Sequence, residues 1–166
     1  MKLAPRNSRL RRKGAIAVFA ALAMVVMVAM LAVSLDLGFM SSVRSDMQVA
    51  ADAGALAGAG ELANGQQAAV GAARTYVMAN ASTRPGVTDN DIATNVSVGH
   101  WDRGQRSFTK DLQPLNAVQV VADRNDAPMF FGKMFNQHTF DMRASAIATF
   151  QPRDIMLVLD YSGSMQ

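Results

Sequence analysis

Asp160, Ser162 and Ser164, three oxygen-bearing side chains at alternate positions, are the residues of this 166-residue sequence best suited to chemistry. A carboxylate and two hydroxyls are hard ligands of the kind that hold Mg²⁺ or a similar divalent cation. They follow an uninterrupted apolar run at residues 155–159, IMLVL, which predicts a strand buried on both faces of a parallel sheet. Ligands of such sheets bind where strands end. Other candidates are weaker. His100 and His138 have no carboxylate or second histidine at ligand spacing and read as surface or strand-edge histidines. Asn80-Ala81-Ser82 and Asn95-Val96-Ser97 match the glycosylation sequon, which matters only in a host that glycosylates. No nucleophile–base pair and no glycine-rich phosphate loop stands out. With no cysteine there is neither a disulfide framework nor a thiolate metal site. The sequence therefore predicts no catalytic residues, no small-molecule substrate and no enzyme.

Charge is distributed unevenly along the chain. The net charge is +3, yet residues 1–35 hold Lys2, Arg6, Arg9, Arg11, Arg12 and Lys13 and no acid, so the remainder is mildly acidic. That arrangement argues against a nucleic-acid partner, which would need the basic residues spread over a folded face. Residues 14–35, GAIAVFAALAMVVMVAMLAVSL, carry no charge and only Ser34 as a polar side chain. As a helix they are on the order of 30 Å long, the thickness of a bilayer's hydrocarbon core. The basic cluster before them predicts a cytoplasmic N-terminus and a body on the other side of the membrane. Ala32-Val33-Ser34 resembles a small-x-small cleavage site, but signal-peptide cores are about 7–15 residues and this run is longer, which favours a retained anchor. Asp36 reads as an interfacial carboxylate ending the span, with pairing to a partner helix as the rarer use.

Beyond the span, Met47, Ala50, Ala51, Gly54, Ala55, Gly58 and Leu62 recur at i, i+3, i+4 and predict an amphipathic helix continuing from it. Its apolar face is flat, made of Ala50, Gly54 and Gly58 beside Ala51, Ala55 and Ala59. Such a face suits close approach of another backbone, either a partner helix or a part of the chain's own domain. Asn64-Gly65 marks a turn, and residues 66–80 predict a second helix with Val70, Ala73, Val77 and Tyr76 inward. After the polar break at 82–91 the period changes to two. Val96 and Val98 precede a hairpin turn at 102–105, and further strands fall at 117–122 and 140–150. In the last strand Phe140, Met142, Ala144, Ala146, Ala148 and Phe150 share one face. Residues 127–135 predict a short helix started by Pro128. The fold class is therefore α+β: a transmembrane helix running into an Ala/Gly-rich helix, then a small antiparallel sheet with helices.

Two resemblances extend this reading. D-x-S-x-S at Asp160, Ser162 and Ser164, after its apolar strand, resembles the opening of the metal-ion-dependent adhesion site of von Willebrand factor A domains. The resemblance implies a site completed by a threonine and a further aspartate from later loops. Residues 154–166 are thus expected to be the truncated start of an incomplete α/β domain. Its Asp160, Ser162 and Ser164 would bind Mg²⁺ only in a longer chain, with no cofactor held here. The N-terminal half resembles Tad-type (Flp) pilus-assembly proteins of the TadG-like group, through the basic stretch, Gly14–Val18, the L-D-x-G exit at Leu35–Gly38 and the helix Met47–Ala59. That resemblance implies a cytoplasmic tail at 1–13, a transmembrane helix at 14–35 and an extracytoplasmic α+β module at 36–153, with 154–166 beyond it. It further implies a structural component of a Tad-type pilus or secretion system in the bacterial inner membrane, with other pilus-assembly or pilin proteins as partners. The alternatives are a surface-tethered adhesin using the von Willebrand A domain and a minor pseudopilin. The last would require glutamate as the fifth residue after Gly14, where Phe19 stands.

Overall fold

The computed structural model describes residues 9–81, 87–151 and 156–158. It begins with one helix, α1 (Arg9–Gly60), of 52 residues. No proline lies between Pro5 and Pro85, so nothing interrupts the backbone ladder, and the helix extends for about 78 Å at ~1.5 Å per residue. Its two halves have different surroundings. From residue 14 to Leu31 every side chain is exposed, and this stretch is long and apolar enough to cross a membrane. From Ala32 onward one face is covered, in steps of three and four: Ala32, Asp36, Val43, Met47, Ala50, Ala51, Gly54, Ala55, Gly58 and Ala59 are all buried.

A 3-10 turn (Glu61–Asn64) and Gly65, at φ 107°, reverse the chain into α2 (Gln66–Ala81). α2 buries Ala69, Ala73, Val77 and Ala81, a stripe at a spacing of four, with Val70 half-buried beside it. Tyr76, expected inward, is exposed, because the stripe of small residues already fills the contact and turns position 76 away. The two helices meet on their smallest residues. A Cβ placed on Gly54 would lie 2.9 Å from the carbonyl oxygen of Ala73 and closer still to Val77, and one on Gly58 would lie 3.1 Å from the carbonyl oxygen of Ala69. The flat face of α1 is therefore occupied by the chain's own second helix.

Four strands follow: β1 (Ile92–Asp102), β2 (Ser107–Lys110), β3 (Ala117–Pro128) and β4 (Thr139–Thr149). They form one antiparallel sheet in the order β2-β1-β3-β4. Both helices lie against the same face, α1 over β3 and β4 and α2 chiefly over β1. Val96↔Val120↔Ala146 and Val98↔Val118↔Ala148 are rows of that covered face. The opposite face carries Asn95, Gln119, Ser145 and the directly opposed pair Asp123 and Arg143, whose side chains form an ion pair. Alternation with one apolar face is what a sheet covered on one side requires. Residues 140–150 follow the expected facing throughout.

The helix expected over 127–135 does not form. β3 bulges between Arg124 and Ala127, where Asp126 has φ 55° and its N–H donates to Asp141 Oδ1 at 3.0 Å. The strand then resumes with Ala127↔Phe140 and Pro128↔Thr139. β1 begins with Ile92 opposite Arg124, so β3 is an edge beyond that point and tolerates a proline. Only one 3-10 turn, Gly132–Phe135, remains of the expected helix. Of the expected strand at 155–159, residues 156–158 are described. They have no regular secondary structure and are exposed, with no neighbouring strand paired to them among the described residues.

Candidate functional site

The site is built where the apolar stretch of α1 ends. Asp36 is the first charged residue after Lys13, and the helix points it at the β3–β4 loop, residues 129–138. There its carboxylate accepts three backbone N–H groups: Phe130 at 2.9 Å, Phe131 at 3.1 Å and Gly132 at 2.7 Å. Asp36 is 7% exposed. A buried carboxylate needs such donors, and the first N–H groups of a helical turn have no partner within the turn. Each therefore satisfies the other, and Asp36 acts as a cap delivered from a distant element.

Neighbouring residues consolidate this junction. Phe39, one turn further along α1, meets the ring of Phe130 edge-on at 5.1 Å and that of Phe140 at 6.0 Å. Gly132 is required by close approach, since a Cβ there would lie 2.9 Å from the carbonyl oxygen of Gln137. Four further N–H groups of the loop are turned inward: Met129 to His138, Met134 to Phe131, Asn136 to Lys133 and Gln137 to Gly132, each as N–H to carbonyl. Its side chains are turned outward, and Phe131, Met134 and Phe135 form one wall of a groove of about 580 Å³ whose other wall is α1 from Ala21 to Ala32.

Among the described residues, hydrogen bonding shifts the titration of three groups that lie away from the junction. The N–H groups of Gln105 and Gly104 hold the carboxyl of Asp102 low. The backbone N–H and hydroxyl of Thr88 do the same for Asp91. Hydrogen bonding to Asp123 raises Arg143.

Asp160, Ser162 and Ser164 lie outside the described residues. Among the described residues, no three His, Asp or Glu side chains are grouped so as to hold a metal ion. His100 serves the fold, with Nδ1 2.9 Å from the carbonyl oxygen of Pro114, and His138 supplies a backbone acceptor to Met129. Asn80 lies within α2 and bonds to the carbonyl of Tyr76, while Asn95 lies on the open face of β1. Sequence reasoning missed the role of Asp36. It is neither a bare interfacial charge nor a partner-helix contact, and the only available signal was an acid directly after 22 uncharged positions.

Residues 57–148 match the family model described as Tad-like Flp pilus-assembly, and residues 14–61 match the model described as Flp pilus-assembly TadE/G-like. The two matches meet inside α1, so both families' segments contribute to one packed core. No curated protein matches the chain. No solved structure matches it either.

Proposed function

The chain belongs to the Tad-like Flp pilus-assembly family, and on that premise we propose that it is a membrane-anchored structural component of a Tad-type pilus or secretion system in the bacterial inner membrane. The observation that carries the anchoring is that all 18 residues from 14 to 31, every one apolar or small, are exposed on a helix that packs one face from Ala32 onward. In water so much uncovered apolar surface is an aggregation hazard, whereas in lipid it is the ordinary state of a single span. Lys2, Arg6, Arg9, Arg11, Arg12 and Lys13 favour a cytoplasmic N-terminus, which puts the sheet and α2 in the periplasm. The role is assembly through packing surfaces, with other pilus-assembly or pilin proteins as partners, and without catalysis.

Reporter fusions test the topology. A periplasm-dependent phosphatase joined after residue 110 should be active and a cytoplasm-dependent fluorescent protein at the same point dark. The reverse pattern would overturn the orientation, and a mature protein starting near Leu35 would remove the anchor from the reading.

The donor set of Asp160, Ser162 and Ser164, one carboxylate and two hydroxyls, suits a hard divalent cation such as Mg²⁺. We propose that these three residues bind it only together with ligands supplied by a longer chain.

A further inference from the structure

We propose that the β3–β4 loop is a second membrane contact, inserting the apolar side chains of residues 129–135 among the lipid acyl chains that surround α1. The proposal rests on the reading of residues 14–35 as a membrane span. Three observations lead to it. The first is composition and exposure: MFFGKMF is exposed at Phe130, Met134 (80%) and Phe135 (70%), a cluster within one short loop, whereas the module's other large apolar residues are buried or half-buried apart from single positions such as Leu56, Leu112 and Ile147. The second is the backbone. A loop can enter hydrocarbon only if its polar main-chain groups are satisfied without water. Here Phe130, Phe131 and Gly132 donate to Asp36, and Met129, Met134, Asn136 and Gln137 donate within the loop. Seven N–H groups bonded inward, with Phe131, Met134 and Phe135 turned outward, are the reverse of an ordinary water-facing loop.

The third observation identifies the occupant. Phe131, Met134 and Phe135 share their groove with Met24, Val28 and Ala32 of α1. Those helix residues lie inside the uncharged run, about 6–18 Å before Asp36 at ~1.5 Å per residue. Whatever covers α1 at that level also covers the loop, and around a single span that medium is lipid. Lys133, the only charge in the loop, is exposed and has a stem long enough to carry its ammonium back to the headgroup phosphates. The module would then be held to the bilayer at two points rather than one.

The natural absence of cysteine makes the test direct, because each introduced thiol is unique. Val28→Cys, Met134→Cys, Phe135→Cys and Leu112→Cys are made in the full chain, labelled with a polarity-sensitive nitrobenzoxadiazole dye and reconstituted into phosphatidylcholine–phosphatidylglycerol vesicles. All four positions are exposed, so labelling leaves the core intact. Emission is read with acyl-chain nitroxide lipids and, separately, with aqueous iodide. The expected result is loss of emission to the nitroxide lipids at 134 and 135 comparable with that at 28, shielding from iodide at all three, and the opposite at 112. Iodide quenching at 134 and 135 with lipid quenching at 28 would overturn the loop contact and leave the span standing. Shielding of the loop from both quenchers would show a protein neighbour, such as a second copy, in place of lipid and would also overturn it. Lipid quenching at 112 as well would mean that the whole module lies on the surface, against a loop-specific contact. Absence of lipid quenching at 28 would overturn the span itself.

Discussion

The carboxylate of Asp36 lies 2.7 Å from the amide nitrogen of Gly132, a residue 96 positions further along the chain. This contact ties the end of the apolar stretch to the far end of the sheet, and the first prediction concerns it. Asp36→Ala removes the acceptor of three N–H groups, one of them buried, and should cost about 1.5–3 kcal/mol or more. Asp36→Asn keeps one carbonyl oxygen and should cost less. In detergent micelles the alanine variant should melt earlier, and trypsin should cut faster after Lys133, which lies in the released loop. Unchanged cleavage at Lys133 would mean that the loop is held without Asp36.

At the α1–α2 seam, Gly54→Ala should destabilise by roughly 1–3 kcal/mol because the new methyl meets the Ala73 carbonyl, a backbone atom that moves only with its helix. Gly54→Leu should be worse. Gly71→Ala is the control: nothing lies within 4 Å of its Cβ position, and removing a helical glycine there should stabilise by about 0.5–1 kcal/mol. Thermal melts of the three variants should fall in the order Gly71→Ala, parent, Gly54→Ala, Gly54→Leu. Equal melting of the Gly54→Ala variant and the parent would show that the helices are further apart than described.

Acid should weaken the module through Asp102 and Asp91. Both carboxyls are held below the ordinary value of 3.8 by hydrogen bonds formed in the folded chain. A lowered native value means that the contribution is present in full above the unfolded value and is lost as pH falls through the native ones. Unfolding followed by circular dichroism should therefore steepen below about pH 4. Asp102→Asn should flatten part of that slope, because asparagine accepts from Gly104 and Gln105 without titrating. An unaltered slope would assign the acid sensitivity to other groups.

Metal binding follows from ligand number. Asp160, Ser162 and Ser164 offer at most three protein oxygens, and Mg²⁺ favours six ligands and gives up water reluctantly. Calorimetry on residues 1–166 should show no heat of binding at millimolar Mg²⁺. An extended chain carrying a complete A domain should bind and should lose binding on Asp160→Ala. Tight binding by residues 1–166 would place completing ligands within the module.

Much of the fold was legible because it depends on local periodicity. The buried face of α1 from Met47 to Gly58, continued by Leu62 in the turn that follows, matches the i, i+3, i+4 reading residue by residue, and β4 keeps its alternation from Phe140 to Ala148. Small residues mark a close contact without naming its occupant, so the identity of α2 as the partner of Gly54 had to come from the structure. The Asp36 junction left no pattern to read. Its donors are backbone groups, which every residue carries, and they arrive from 94 to 96 positions away. Pro128 misled for a related reason: proline suits both the start of a helix and an edge strand, and only the start of β1 opposite Arg124 decides between them.

α1 passes from the apolar stretch into the core without a hinge, which makes the chain a shaft rather than a tether. Each residue of a helix turns about 100°, so the azimuth at which the sheet faces its surroundings is fixed by the phase of the apolar stretch. Rotation or tilt imposed on one end must appear at the other, and a single residue inserted in the apolar stretch before Ala21 would turn the preceding part of the helix by about 100° relative to the module while leaving the Asp36 junction in place. A component with that property can set the angular position of whatever docks on it.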